Sequence, residues 1–201
     1  MPLPKVEMSI FETILARRSV RKYKARELNK NTVRILFEAA VRAPTATHQE
    51  PWGFVVIQDK KLLQSLSDLA RPLFLNEIKK NNLRHTDHTL DVFDKPDFNI
   101  FYNAGTLILI CGKTDAPYYA ADCWLAAENL MLAATAMGLG TCVIGSALPS
   151  LNTKEIRTQL GISDNFSVVA PIVVGYPDDE IAPALRKTPI VLTTIPASIA
   201  S

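Results

Sequence analysis

An α+β fold, with a mixed central β-sheet flanked by helices and an extended C-terminal arm, is what the sequence predicts, and three observations predict it. Short apolar β-type runs alternate with helical segments along the chain. The segment from Tyr118 to Met137 is apolar nearly all round, the pattern of a central helix buried on several faces. Prolines at 171, 177, 183, 189 and 196 keep the chain's end out of helix, so the last residues are expected to be extended.

Taken in order, Ser9-Ile-Phe-Glu12 has the spacing of a capping box and opens a helix expected to run to about Arg17. A second helix is expected over Lys30 to Ala43, because Val33, Leu36, Phe37, Ala40 and Val41 recur on one face; Pro44 ends it. A polar loop to Glu50 leads into the strand Gly53 to Ile57. Lys60 to about Ala70 has a helical pattern, whereas Arg71 to Asn99 mixes short amphipathic pieces with turn-forming residues. The strand Thr106 to Cys111 then precedes the central helix, which Gly138 and Gly140 stop. A strand over Thr141 to Ile144, a short helix over Thr153 to Leu160 closed by Gly161, and a strand over Val168 to Gly175 complete the series. One domain over 1–201 is expected, with 176–201 as the arm.

Composition narrows the function classes. The chain has 201 residues, 48% hydrophobic and 21% charged, which is an ordinary globular composition. Lys and Arg number 22 against 20 Asp and Glu, so no overall field recruits nucleic acid or a membrane surface. Cys111, Cys123 and Cys142 lie in apolar surroundings without metal-ligand spacing, which suits a reducing cytoplasm. Residues 1–8 lack an apolar signal region, and the apolar runs are too short to cross a bilayer. His85-Thr-Asp-His88 lacks a third ligand, so no metal site is expected. Nucleophile elbows, phosphate-binding Walker loops and Cys-x-x-Cys pairs are absent from the sequence.

Three segments have residue types suited to a ligand. Arg17-Arg-Ser-Val-Arg-Lys22 groups four cations and a hydroxyl directly after a helix, which suits phosphate oxygens; standing alone it reads rather as a solvated basic face. Pro44-Thr-Ala-Thr-His-Gln-Glu-Pro-Trp52 holds short polar side chains and backbone amides between two prolines, suited to the edge of a planar heterocycle or to a plain connection. Gly138-Leu-Gly-Thr-Cys-Val-Ile-Gly-Ser146 allows close backbone approach, but its glycines follow a helix and precede a strand, which is not the dinucleotide-binding fingerprint.

Together and in this order, these segments and Asn129-Leu-Met-Leu-Ala-Ala134 resemble the FMN-dependent nitroreductase family, over about Ser9 to Ile190. The resemblance implies that Arg17, Arg18 and Ser19 contact the FMN phosphate and ribityl chain, and that Arg21 is the cation beside the flavin pyrimidine, where a reduced flavin carries negative charge. Pro44, Thr45, Ala46 and His48 correspond to the loop beside the isoalloxazine, and Ile144, Gly145 and Ser146 to the backbone near its N5 atom. Arg186 and Lys187 are the nearest candidates for a C-terminal basic pair that reaches the phosphate. The resemblance further implies a homodimer with FMN at the subunit interface, NADH or NADPH as electron donor, and no catalytic acid–base side chain. Small electron-poor acceptors such as nitroaromatics or quinones would be reduced in a ping-pong cycle.

Two positions depart from the family pattern. His48 stands where Asn is usual, which introduces a group that titrates near neutrality, and Glu50 stands where Gln is usual, a carboxylate that would oppose a reduced flavin if it faced it. Alternative readings are a related flavin reaction, dehalogenation or flavin fragmentation, and a flavin-binding protein without turnover. The resemblance makes 71–99 a lid or substrate region, and that stretch shows no Glu-Tyr-Lys type lid signature of a dehalogenase.

Overall fold

The computed structural model describes residues 8–80, 93, 95, 97–179 and 185–195. His85, His88, Pro183 and Pro196 lie outside them. The elements are α1 (Ile10–Ala16), α2 (Lys30–Ala40), β1 (Trp52–Ile57), α3 (Lys60–Lys80), β2 (Thr106–Lys113), α4 (Tyr119–Ala136), β3 (Gly140–Val143), α5 (Leu148–Leu151), α6 (Lys154–Gln159) and β4 (Phe166–Gly175).

The four strands form one sheet in the order β1-β2-β4-β3, and every pairing between them is antiparallel. Parallel pairing occurs at an isolated bridge between Ser19 and Thr141. In the central pair, β2 is buried on both faces: alternation sends Leu107, Leu109 and Cys111 into one apolar cluster and Ile108 and Ile110 into the other. This is why β2 reads as a continuous apolar run. Leu63, Leu66 and Ala70 of α3 cover the first face with Phe101. The second is covered by Leu36 and Ala40 of α2 and by Cys123, Ala126, Ala127, Leu130, Met131 and Ala134 of α4. Pro171, without an N–H, pairs with Leu109, and the β2–β4 register shifts just beyond, between Ile110 and Cys111.

Local chemistry accounts for most boundaries. At α1 the capping box is present in both directions, with the Ser9 amide donating to Glu12 Oε2 at 2.7 Å and the Glu12 amide to Ser9 Oγ at 3.2 Å. Asn29 and Thr153 cap α2 and α6 through their side chains. Gly138 and Gly161 adopt φ of +72° and +70° at the ends of α4 and α6.

Several elements differ from the sequence-based expectation. Helix α2 ends at Ala40, three residues before Ala43, where the Arg42 and Ala43 amides bond three residues back; Val41, just past the end, is 40% exposed, and Ile35 inside the helix is buried. Helix α3 does not stop near Ala70 but runs through Pro72 to Lys80. Tertiary anchors outweigh the bond lost at Pro72. Arg71 donates to the Phe93 carbonyl at 3.0 Å and to that of Lys95 at 2.8 Å, and the Phe74 and Phe93 rings pack 5.0 Å apart. The four-residue α5 was not expected at all. Helix α4 buries seven residues, but Trp124 and Leu125 stay 42% and 46% exposed, so it is not enclosed all round within one chain.

All three cysteines are free and buried. Burial pushes the Cys111 thiol up to about 11, and burial, with the neighbouring Cys111 and Asp122, pushes Cys123 up to about 12. Residues 185–195 have no helix or strand and are exposed, in keeping with an extended arm. No helix among the described residues is long and apolar enough to cross a membrane.

Leu130 is fully buried at the centre of α4 against the sheet. Leu130→Ala should destabilise the fold by about 2–5 kcal/mol, read from urea denaturation. A cost below about 1 kcal/mol would mean that α4 is not the core of the second layer.

Candidate functional site

The basic segment leaves α1 and is pinned to the sheet. The Val20 amide donates to the Thr141 carbonyl at 2.9 Å beside the Ser19–Thr141 bridge. Further along, the buried Tyr23 hydroxyl donates to the Val20 carbonyl at 2.8 Å, the Lys24 amide donates to Tyr176, and the Asp178 amide donates to Lys22. Residues 19–24 therefore lie along β3 and the exit of β4 with no helix of their own. A Cβ on Gly140 would fall 2.6–2.9 Å from three side-chain atoms of Val20, so the close approach depends on glycine there.

This pinning aims the cations. Arg17 Nε lies 3.5 Å from Glu128 Oε1 on α4. Arg18 turns back, with Nη1 donating to the carbonyls of Leu15 and Arg17 at 2.6 and 2.7 Å, while its Nε is buried and has no partner among the described residues. Thr141 Oγ1, on the adjoining strand, is likewise buried and unpartnered. Ser19 and Arg21 are exposed.

The loop after α2 is strained. Ala46–His48 form a 3-10 turn, and Thr47, His48 and Glu50 have φ of 52°, 54° and 46°, the left-handed region that non-glycine residues rarely occupy. Pro44, His48 and Glu50 are exposed, and Thr45 and Ala46 half-buried. The Ala46 amide donates to both oxygens of Asp122, at 3.2 and 3.3 Å, at the start of α4. Beside the loop, Glu50 joins Val41, Arg42, Trp52 and Phe54 around a cavity of about 490 Å³.

After β3, the Ile144 amide is committed to the Pro171 carbonyl at 2.8 Å. Gly145 follows, exposed, with open space where a Cβ would stand; Ser146 is half-buried in a second 3-10 turn, Gly145–Ala147. Helix α4 and strand β3 are thus the common frame of the three segments: α4 holds Arg17 through Glu128 and Ala46 through Asp122, and β3 holds Ser19 and leads into Gly145.

Sequence reasoning missed two members of this neighbourhood. Tyr102, with φ of 53°, lies under the Arg21 guanidinium, 5.9 Å from ring centroid to Cζ, and packs edge-on against Phe98. Burial pushes its phenol above the usual range, with Arg21 pulling the other way. No sequence pattern marks it. Asp122 did leave a signal, as one of two acids, with Glu128, that interrupt an otherwise largely apolar helix. Arg186 and Lys187 are not brought to the cluster: both sit in the exposed arm, and no hydrogen bond or ion pair among the described residues involves them. A separate cavity of about 570 Å³, between Arg26, Lys60, Gln64 and Phe101, is lined by none of the expected cofactor residues.

Comparison with known proteins gives the same direction from outside the geometry. The sequence model described as the nitroreductase family matches residues 14–176. A protein of Archaeoglobus fulgidus, provisionally named an NADH dehydrogenase/NAD(P)H nitroreductase, is 28% identical over 83% of this chain and 84% of its own. An iodotyrosine deiodinase of Thermotoga neapolitana is 24% identical over 85% and 89%. A crystal structure of a nitroreductase with bound FMN from Bacteroides fragilis superposes with a TM-score of 0.76 at 26% identity, covering 94% of this chain and 98% of that one.

The geometry makes Gly140 the test of how the basic segment is held. Gly140→Ala should push Val20 from β3 at a cost of about 1–3 kcal/mol in denaturant unfolding, with faster exchange of the Val20 amide. An alanine variant with unchanged stability and unchanged Val20 protection would show that the close approach is not required.

Proposed function

The chain belongs to the nitroreductase family, and from that premise we propose that it is an FMN-dependent oxidoreductase that takes electrons from NADH or NADPH and delivers them to small electron-poor acceptors. The observation that carries this reading is the set of donors left open along the basic segment, β3 and the turn that follows it. Arg18 Nε and Thr141 Oγ1 are buried without partners, Ser19 and Arg21 are exposed, and Gly145 presents bare backbone. A phosphate, a polyhydroxyl chain and the polar edge of a flavin suit such a donor set. Arg17, Arg18 and Ser19 would hold the phosphate and ribityl chain, with Arg186 and Lys187 joining from an arm. Pro44, Thr45, Ala46 and His48 would flank the ring, and Ile144, Gly145 and Ser146 would supply backbone near N5.

When bound, FMN would supply the hydride chemistry. The chain's own contribution is placement and charge. Arg21, its guanidinium over the Tyr102 ring, would supply the cation beside the negative charge that accumulates on reduction. Gly145, without a side chain, leaves the approach to the backbone open. Glu50 lies with Arg42, Trp52 and Phe54 around their own cavity.

The apolar surface that one chain leaves uncovered supports a homodimer. Phe11 and Leu15 of α1 are 75% and 71% exposed, Trp124 and Leu125 of α4 are open, and Leu185, Ile190, Val191, Leu192 and Ile195 of the arm are almost wholly so. A second copy of the chain would cover these faces. Free, buried cysteines suit a cytoplasmic setting. The deiodinase among the relatives makes reductive dehalogenation the second reading.

Purified protein should be yellow, dimeric by light scattering, and bleached anaerobically by NADH or NADPH, then reoxidised by nitroaromatics or quinones. Reoxidation by 3-iodotyrosine in their place would favour the second reading. Colourless protein that does not take up added FMN would sink both. Arg21→Met should weaken binding of reduced FMN by about tenfold more than that of oxidised FMN, the loss expected for one charge-assisted contact. Equal weakening of both forms would remove Arg21 from the role of charge partner.

A further inference from the structure

We propose that Asp122 is a positioning residue that sets the shape of the loop over residues 44–50 by holding the Ala46 amide against the central helix; this rests on the FMN reading above. Asp122 is 5% exposed in the first turn of α4, next to buried Cys123 and Ala126. A carboxylate so placed is costly to bury unless donors meet it. The positive end of α4 offsets part of that cost. Among the described residues its side chain has one hydrogen-bonding partner, the Ala46 N–H, shared between its two oxygens at 3.2 and 3.3 Å.

The loop needs such a hold. Three of its residues, Thr47, His48 and Glu50, are non-glycine residues in the left-handed region, and such residues persist only where their surroundings over-determine them. Bonds inside the loop shape it without attaching it: the His48 amide donates to Thr45, the Gln49 amide to Ala46, and Thr47 Oγ1 to the Ala46 carbonyl. The far end is fastened to the sheet, where the Lys113 amide donates to the Pro51 carbonyl at 2.9 Å. At the near end the described hydrogen bond that reaches across to another element is the one to Asp122. Without it, the strained residues are free to relax towards ordinary backbone regions, and the amides and His48 leave the positions that would face the flavin.

The test compares Asp122→Leu and Asp122→Asn in the full-length chain. Leucine keeps the branching and heavy-atom count of aspartate but removes the charge and both acceptors, so the Ala46 N–H loses its partner. Asparagine keeps a carbonyl oxygen that can accept from Ala46. In the FMN-free protein, Asp122→Leu should speed hydrogen exchange of the Ala46 amide at least tenfold, with the sheet amides unchanged. In FMN titrations it should raise the dissociation constant about tenfold, and Asp122→Asn should restore most of both. Unchanged Ala46 exchange in Asp122→Leu would overturn the proposal, as would an asparagine variant as defective as the leucine one. Should Asp122→Leu not fold, normal Ala46 protection and FMN affinity in Asp122→Asn would support the tether, and their loss would overturn it. If the unaltered chain binds no FMN, the cofactor reading fails, and Ala46 exchange alone decides the role of Asp122.

Discussion

Burial of the β2–β4 pair on both faces is the constraint from which the rest of the molecule follows. Once Leu107, Leu109 and Ile108, Ile110 point into opposite layers, each face needs a cover, and α4 with α2 supplies one while α3 supplies the other. A helix enclosed on the sheet side has almost no freedom to shift. The two carboxylates that α4 presents, Asp122 and Glu128, therefore sit at fixed places, six residues and roughly 9 Å apart along the axis. One meets the loop and the other the basic segment. The apolar core thus sets the spacing of polar groups that never enter it.

What could be read in the sequence, and what could not, divides along the same line. The capping box at Ser9, the apolar run of β2 and the nearly all-apolar α4 are local or periodic signals, and each appears where its pattern lies. Helix α3 beyond Pro72 depends on Arg71 reaching Phe93 and Lys95, contacts more than twenty residues away along the chain that no window of sequence contains. Val41 fits the apolar stripe of α2 but lies past its end, because spacing reports which face a residue would share and not where the hydrogen bonds stop.

The site was legible as segments and not as a site. Arg17–Arg21, Pro44–His48 and Gly138–Ser146 could each be picked out by residue type. Their common frame could not be, since it consists of a bridge from Ser19 to Thr141 and of single contacts to Glu128 and Asp122. Tyr102 was missed for a related reason: Asn103 and Gly105 mark a turn, but nothing in the sequence says that the turn brings the Tyr102 ring beside Arg21. Left-handed backbone at Thr47, His48, Glu50 and Tyr102 puts the strain in the neighbourhood where rigid placement matters most.

The cysteines show what the two apolar layers do to chemistry near them. Thiols held near 11 and 12 stay protonated at neutral pH, with on the order of one in ten thousand of the Cys111 groups ionised at pH 7. Only the ionised sulfur attacks disulfides, quinones or peroxides at useful rates. Electrophiles and oxidants, arylating quinones and hydrogen peroxide among them, therefore find no ready nucleophile at Cys111 or Cys123. The packing that holds the sheet together also keeps these two thiols chemically quiet.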